Sequence, residues 1–333
     1  MPAEWEPHEA TWLGWPHNLS DWPGRFAPIP WVYGEIVRKL AEGEIVRVVV
    51  PSKAHEAKAR RVLERVGAAT ARVEFFRWPT DRGWTRDFGP ICVRREHPEP
   101  EVAIARFRFN GWARYNNWKR DNEAGWQVAG EARVEPEWNG RPMVLEGGSI
   151  DVNGQGLLLT TEECLLSEVQ QRNPGMTREQ YEAMFDGWLG ARQTIWLGHG
   201  IAGDDTHGHV DDLARFTAER TVALAVESNR NDPNYALLRE NLKRLRKVKG
   251  LTVVELPMPR PVFYGNQRLP ASYANFYIAN KQVLVPQFND PNDRIALNTL
   301  KQCFPSRDVI GVYCTDLVLG QGTLHCITMQ QPA

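Results

Sequence analysis

Apolar side chains run almost continuously over residues 45–50, Ile-Val-Arg-Val-Val-Val, and alternate with polar ones over 71–76, which predicts two strands. Residues 53–66 between them carry apolar positions at helical spacing. The order strand, helix, strand returns at 155–160, 161–189 and 193–197, at 220–226, 233–247 and 251–256, and at 282–286, 291–302 and 308–313. Two of these helices open on matching tetrapeptides, Asn231-Asp232-Pro233-Asn234 and Asn289-Asp290-Pro291-Asn292, with Asp placed to cap and Pro at the first helical position. An ordinary doubly wound sheet also alternates strands and helices. The further extended segments 101–109 and 272–278 favour an α/β propeller-like repeat of ββαβ units instead.

Pro-rich turns at 22–30 and 256–261 are the only breaks in the series, and no low-complexity tract divides it. The expectation is therefore a single catalytic domain over 1–333. Forty Lys and Arg against 41 Asp and Glu leave a formal charge of −1, so no basic field marks nucleic acid as a partner. No segment reaches the roughly 20 apolar residues of a membrane helix, and the opening Met1-Pro2-Ala3-Glu4-Trp5-Glu6-Pro7-His8 does not read as a secretory signal. A cytoplasmic protein with a small-molecule partner is expected. Its five cysteines are odd in number and lack C-x-x-C spacing, which disfavours a disulfide framework and a structural zinc knot. Cys92, Cys164, Cys303 and Cys314 are expected to fill the core.

Four polar clusters fall between or beyond the repeats: Trp84-Thr85-Arg86-Asp87-Phe88-Gly89-Pro90, Leu145-Glu146-Gly147-Gly148-Ser149, His207-Gly208-His209-Val210-Asp211-Asp212 and Gly320-Gln321-Gly322-Thr323-Leu324-His325-Cys326. Asp87 lies 11 residues after the strand ending at 76, His209 lies 12 after the one ending at 197, and Cys326 lies 13 after the one ending at 313. Equivalent offsets around a repeat axis would bring these side chains to one centre. His209 and Asp211 stand at i and i+2, which in a strand points both to the same face. A thiol, an imidazole and carboxylates are what an attack on a planar, cationic, weakly electrophilic carbon needs: carboxylates clamp the cation and the imidazole moves protons.

Trp84-Thr85-Arg86-Asp87, Glu146-Gly147-Gly148, Gly208-His209-Val210-Asp211 and His325-Cys326-Ile327-Thr328 resemble the signature segments of the agmatine deiminases and the related bacterial peptidyl-arginine deiminases. The opening eight residues and Leu269-Pro270-Ala271-Ser272-Tyr273-Ala274-Asn275-Phe276-Tyr277 are similar to the same group. The resemblance implies a five-bladed α/β propeller of the guanidine-modifying superfamily, with the undetected blade in 85–150. It implies hydrolysis of agmatine to N-carbamoylputrescine and ammonia, with no metal and no cofactor. Cys326 would attack the guanidinium carbon as a thiolate, Asp87 and Asp211 would hold the guanidinium nitrogens, and His209 would move protons with Glu146 in support. Trp84 and Gly322 would complete the substrate site, and a homodimer is a candidate assembly.

The chain departs from the agmatine-specific pattern at Gln321, Met329 and Asp212, where those members read Gly, Gln and Asn. Peptidyl or free arginine therefore stays open as substrate, with Arg86 or Arg114 available for an α-carboxylate. Three other readings also stay open. His207, His209 and Asp211, with His199 and Asp204 nearby, have the types and spacing of a zinc hydrolase. An amidinotransferase shares the thiouronium intermediate. A binding module could use the 13 Trp residues as stacking platforms.

Overall fold

Residues 1–95, 98–99, 101–129 and 133–333 are described by the structure, a computed structural model. Among them are five sheets of three or more strands, all with one local order. A middle strand takes an antiparallel neighbour on one side and a parallel neighbour on the other. The middle strands are His8–Gly14, Glu101–Ala105, Leu157–Thr161, Thr221–Val226 and Gln282–Gln287. Their antiparallel neighbours are, in turn, Thr328–Pro332, Ile91–Arg95, Asp151–Val152, Ala214–Ala218 and Tyr277–Ile278. Their parallel neighbours are Ile45–Val49, Arg133–Val134, Gln193–Leu197, Thr252–Pro257 and Asp308–Tyr313.

Parallel strands need a crossover, and a helix lies in each: Ile29–Leu40, Lys119–Ala129, Arg178–Leu189, Pro233–Arg246 and Asn292–Cys303. These helices turn an apolar stripe inward, as with Ile36, Val37 and Leu40 or Tyr181, Phe185 and Leu189, all buried. Such burial contributes roughly 1.5–3 kcal/mol per large apolar side chain. The strand Thr328–Pro332 pairs with His8–Gly14, so both ends of the described chain are tied into one sheet.

The sequence pattern located four units, and the structure shifts one and adds another. Residues 45–76 do form strand, helix, strand, but as an extra outer crossover that ends at Val73–Phe76. The unit equivalent to the others is His8–Gly14, Ile29–Leu40 and Ile45–Val49, which His8, Glu9 and Thr11 concealed by breaking the apolar run. A fifth unit of the same order lies at 91–134, inside the stretch 85–150 where the sequence pattern showed none. The predicted helix 161–189 is two helices, Glu162–Leu166 and Arg178–Leu189, each with its own cap from Thr161 and from a Thr177–Gln180 capping box. The residues between them carry Arg172 to Glu146. Strand character in 101–109 ends at Ala105, and in 272–278 it is confined to Tyr277–Ile278. The shared tetrapeptides do act alike, since Asp232 accepts from the Asn234 backbone N–H and Asp290 from that of Asn292, both at 2.9 Å.

Among the described residues no helix is long and apolar enough to cross a membrane.

Candidate active site

Each antiparallel strand is entered from a short irregular segment, and these segments carry the polar clusters. Asp87 sits on the turn of helix Thr85–Phe88 before Ile91–Arg95, and Glu146 precedes the 3-10 turn Gly147–Ser149 before Asp151–Val152. His209 and Asp211 flank the start of the 3-10 turn Val210–Asp212 before Ala214–Ala218. Asn275 comes just before Tyr277–Ile278, and Cys326 lies on the short helix Leu324–Ile327 before Thr328–Pro332. His209 and Asp211 converge through this turn rather than through the strand alternation the spacing suggested.

Gly148 measures how tightly they meet. A methyl group on its Cα would stand 2.6 Å from His209 Nδ1, 2.9 Å from Asp87 Oδ1 and 3.1 Å from Asp211 Oδ2. The Gly148 backbone N–H donates to Asp87 Oδ1 at 2.9 Å, and the Trp112 indole N–H donates to Oδ2 at 2.8 Å. Trp112 makes that contact from a left-handed backbone conformation, φ 57°, that bulky residues seldom adopt. The His209 ring lies 3.9 Å from Asp87 through Nδ1 and 3.9 Å from Glu146 through Nε2. Neither ring nitrogen has a hydrogen-bond partner among the described residues, and neither does Asp211 Oδ1.

Cys326 Sγ stands 3.7 Å from Asp211 Oδ2 and accepts from Asn275 Nδ2 at 3.1 Å. Asn275 is fixed in turn by its Oδ1, which accepts from Thr323 Oγ1 at 2.7 Å and from the His325 backbone N–H at 3.1 Å. A Cβ on Gly322 would lie 2.9 Å from both Sγ and the Trp84 ring, so only glycine lets the two approach. Behind the site, Arg172 Nε reaches both oxygens of Glu146 at 3.0 and 3.3 Å. His325 joins Asp211 at 2.6 Å to Glu4 at 2.8 Å, and Glu4 is held by Arg215 at 2.9 Å and Arg86 at 3.3 Å.

All five candidate catalytic side chains are buried. Burial pushes the Asp87 carboxyl up to about 6, against the pull of His209 and with the push of Asp211 and Glu146. Burial and neighbouring Asp211 push Asp212 well above the carboxylate range. Burial pushes Asp211 itself up, yet it is held low by the combined pull of the His325 hydrogen bond and of His325, His209 and Arg215 nearby. Burial opposes a charged His209, yet Asp87, Cys164 and Asp211 hold its pKa well above that of ordinary histidine. Burial first, then Asp211, Asp212 and Asp87, push the Cys326 thiol far up. The site without ligand thus holds more buried carboxyl groups than its cations neutralise, and relieves the excess by keeping protons on Asp212 and Cys326.

A cleft bordered by Arg82, Trp84, Asp87, Trp112, Asp205, Thr206, Gly320 and Gln321 leads to Cys326. Arg82 is committed there: Asp21 takes its Nε at 2.9 Å and Nη2 at 2.6 Å, and its guanidinium lies 4.0 Å over Tyr115.

The expected set Cys326, His209, Asp87, Asp211 and Glu146 is brought together, with Trp84 and Gly322 beside the thiol. Other expectations are overturned. His207 faces Ser167 and Glu163 instead of His209 and Asp211, His199 lies toward solvent beside Glu163, and Asp204 accepts from the Thr206, Gly208 and His209 backbones. The ligand-type groups that do cluster within 4.8 Å are Glu146, Cys164 and His209, and Asp211, Asp212 and Cys326, so the His207-centred zinc site is not assembled. Arg86 faces Glu4 and Gln330 on the far side, away from the cleft, while Arg114 is exposed, does not line the cleft and lies close enough to Asp205 to oppose the rise of its carboxyl. Cys164 is more than core filler, since it abuts His209 and Glu146; Cys303 is only half-buried. The sequence reading also missed Asn275, Arg172, Trp112 and the Glu4–His325 pair. Of these, Asn275, His325 and Glu4 lay in segments already singled out, and Arg172 and Trp112 did not.

Residues 1–332 match the Porphyromonas-type peptidyl-arginine deiminase family. The chain is 36% identical to an agmatine deiminase of Stutzerimonas stutzeri (strain A1501), over all of this chain and 95% of that one. A cysteine-to-serine variant of the C. jejuni agmatine deiminase with substrate bound superposes with a TM-score of 0.88 at 31% identity, covering 100% of this chain and 96% of that one. An agmatine deiminase of Enterococcus faecalis, catalysing its reaction, superposes with a TM-score of 0.89 at 31% identity, covering 100% and 95%. With its α/β fold and its whole described site inside the matched region, the chain belongs to the Porphyromonas-type peptidyl-arginine deiminase family.

Proposed function

We propose that this protein hydrolyses agmatine to N-carbamoylputrescine and ammonia through a thiouronium intermediate on Cys326. The observation that carries the reading is the excess of buried carboxyl groups around a thiol at the end of a narrow cleft, in a chain similar from end to end to agmatine deiminases. A guanidinium is planar, cationic and able to present paired N–H groups to carboxylates on either side. Asp87 and Asp211 hold its nitrogens and set its carbon against Sγ. The arriving cation offsets the charge that kept the thiol protonated, so the thiol proton passes to solvent and Cys326 reacts as the thiolate beside a protonated His209.

Sγ then bonds to the guanidinium carbon, and the C–N bond breaks as His209 passes a proton to the departing ammonia. His209 next takes one proton from water, whose oxygen attacks the same carbon; the C–S bond breaks to return the thiolate, and the second water proton passes to solvent as the ureido product forms. Glu146, fixed by Arg172, steadies the imidazolium, while Asn275 steadies the thiolate through its N–H. The five sheets of like order are read as five blades of one catalytic domain around this centre, closed by Thr328–Pro332 on His8–Gly14.

Agmatine is favoured over arginine because an α-carboxylate would meet Asp205 at the cleft border and find Arg82 already taken by Asp21. An ammonia-release assay across agmatine, free arginine and arginine-containing peptides tests the reading. A kcat/KM highest for agmatine is expected; a higher value for arginine or a peptide overturns the substrate, and release from none of them overturns the reaction.

A further inference from the structure

One feature of the cleft is not used by the chemistry at Cys326. Gln321 borders the cleft from a left-handed backbone conformation, φ 75° and ψ 18°, which glycine adopts freely and glutamine does not. Its side-chain oxygen, Oε1, is buried and has no hydrogen-bond partner among the described residues. A buried acceptor left unpaired is costly unless something completes it. A Cβ on its chain neighbour Gly322 would stand 2.9 Å from Cys326 Sγ and from Trp84, and consecutive Cα atoms are about 3.8 Å apart. The Gln321 amide is therefore within a few bonds' length of the reacting centre.

The same cleft holds a second acceptor without a role in the bond-making steps. Asp205 accepts from the Tyr115 hydroxyl through Oδ2, while Oδ1 carries no hydrogen bond among the described residues. Burial pushes its carboxyl up to about 6, so it is charged at neutral pH. The one cation bordering the cleft, Arg82, is engaged by Asp21 and stacked on Tyr115. What remains is a carboxylate oxygen and an amide oxygen, neither hydrogen-bonded among the described residues, on two residues that border one narrow cleft, which is a recognition pattern for a donor-only cation.

Resting on the function proposed above, we infer that Gln321 is a specificity-determining residue: its Oε1 accepts a hydrogen bond from the distal ammonium of the substrate, and Asp205 supplies the opposing charge. The preferred substrates are then guanidines with a positively charged tail, whereas uncharged alkylguanidines leave both acceptors unpaired. A site built to hydrogen-bond a substrate group discriminates strongly against the analogue that lacks it.

The test compares agmatine with butylguanidine, which keeps the guanidinium and the four-carbon chain but has no ammonium. The wild-type enzyme, Gln321→Gly and Asp205→Asn are assayed for ammonia release on both, with thermal melts as a fold control. The ratio of kcat/KM for agmatine to that for butylguanidine is expected to fall about tenfold in Gln321→Gly and further in Asp205→Asn, through KM for agmatine. Gln321→Gly should melt no lower than wild type, because glycine suits the backbone there. An unchanged ratio in Gln321→Gly overturns the inference while leaving the deiminase reading intact. A wild-type enzyme that releases ammonia from neither guanidine overturns that reading and this one with it.

Discussion

His325 Nδ1 and Asp211 Oδ2 lie 2.6 Å apart, and the other ring nitrogen of His325 meets Glu4 Oε2 at 2.8 Å. The neighbour of Cys326 in sequence thus positions the carboxylate beside Cys326 in space. All three partners are buried, and Arg215 and Arg86 compensate Glu4 from behind. His325→Ala should leave two buried carboxylates without their shared partner, costing about 3 kcal/mol of stability. It should also lower kcat/KM about a hundredfold as Asp211 swings from its place. Urea unfolding and ammonia release check the two parts, and a variant with wild-type values in both would detach His325 from the site.

Cys326→Ser should fold normally and lose roughly a thousandfold or more in turnover, because a serine hydroxyl is a far weaker acid and nucleophile here. The other buried thiols make a sharp control. Cys92 and Cys314 are buried and neither borders the cleft, so neither competes as a nucleophile. Iodoacetamide should inactivate the wild-type enzyme faster as pH rises, because the site holds the Cys326 thiol protonated at neutral pH. Near-normal activity in Cys326→Ser would move the nucleophile elsewhere.

The acid limb of the kcat/KM profile should report Asp87. Its carboxyl is pushed up to about 6 by burial, from an ordinary value near 3.8. As pH falls through about 6, Asp87 gains a proton, loses its charge and stops pairing with guanidinium, so kcat/KM falls. Because His209 is held well above its usual range, it keeps its proton across this window and does not set the limb. Asp87→Asn should show low activity, and the acid limb that remains should come from Asp205, whose carboxyl burial also pushes up to about 6. A wild-type limb below pH 5 would mean that Asp87 is ionised more readily than its burial implies.

What the sequence disclosed about this site follows from where its residues sit. Asp87, His209 and Cys326 were found by counting forward from the preceding parallel strands, at offsets of 11, 12 and 13. The structure gives a simpler rule, because every site segment lies just before an antiparallel strand, and that rule also reaches Glu146 and Asn275. It was hidden because two of those strands, Asp151–Val152 and Tyr277–Ile278, are only two residues long and leave no alternation to read. The unit at 91–134 escaped for a similar reason, its third strand being the exposed pair Arg133–Val134. Arg172 lies in an irregular stretch between two helices that periodicity had fused, and Cys164 looked like any apolar helix residue. Nothing local marks either as facing Glu146; only the packed fold does.

Gly148 offers the most stringent test of the assembled centre. Its backbone N–H holds Asp87, and the space beside its Cα is bounded by Asp87, His209 and Asp211. The added methyl of Gly148→Ala would come 2.6 Å from His209 Nδ1 and 2.9 Å from Asp87 Oδ1, closer than side-chain carbons stand from such atoms. Gly148 is not among the positive-φ glycines, so alanine is acceptable to the backbone and the clash falls on the side chains. At least one of His209 and Asp87 must then rotate away, and displacement of about 1 Å is enough to cost roughly a hundredfold in rate. Gly148→Ala should therefore melt within a few degrees of wild type while losing most of its kcat. Gly67→Ala is no match as a control, because its φ of +71° adds strain; Gly187→Ala is suitable, since its methyl would meet nothing within 4 Å. If Gly148→Ala and Gly187→Ala were equally active, Asp87, His209 and Asp211 could not be packed around a single point in the working enzyme.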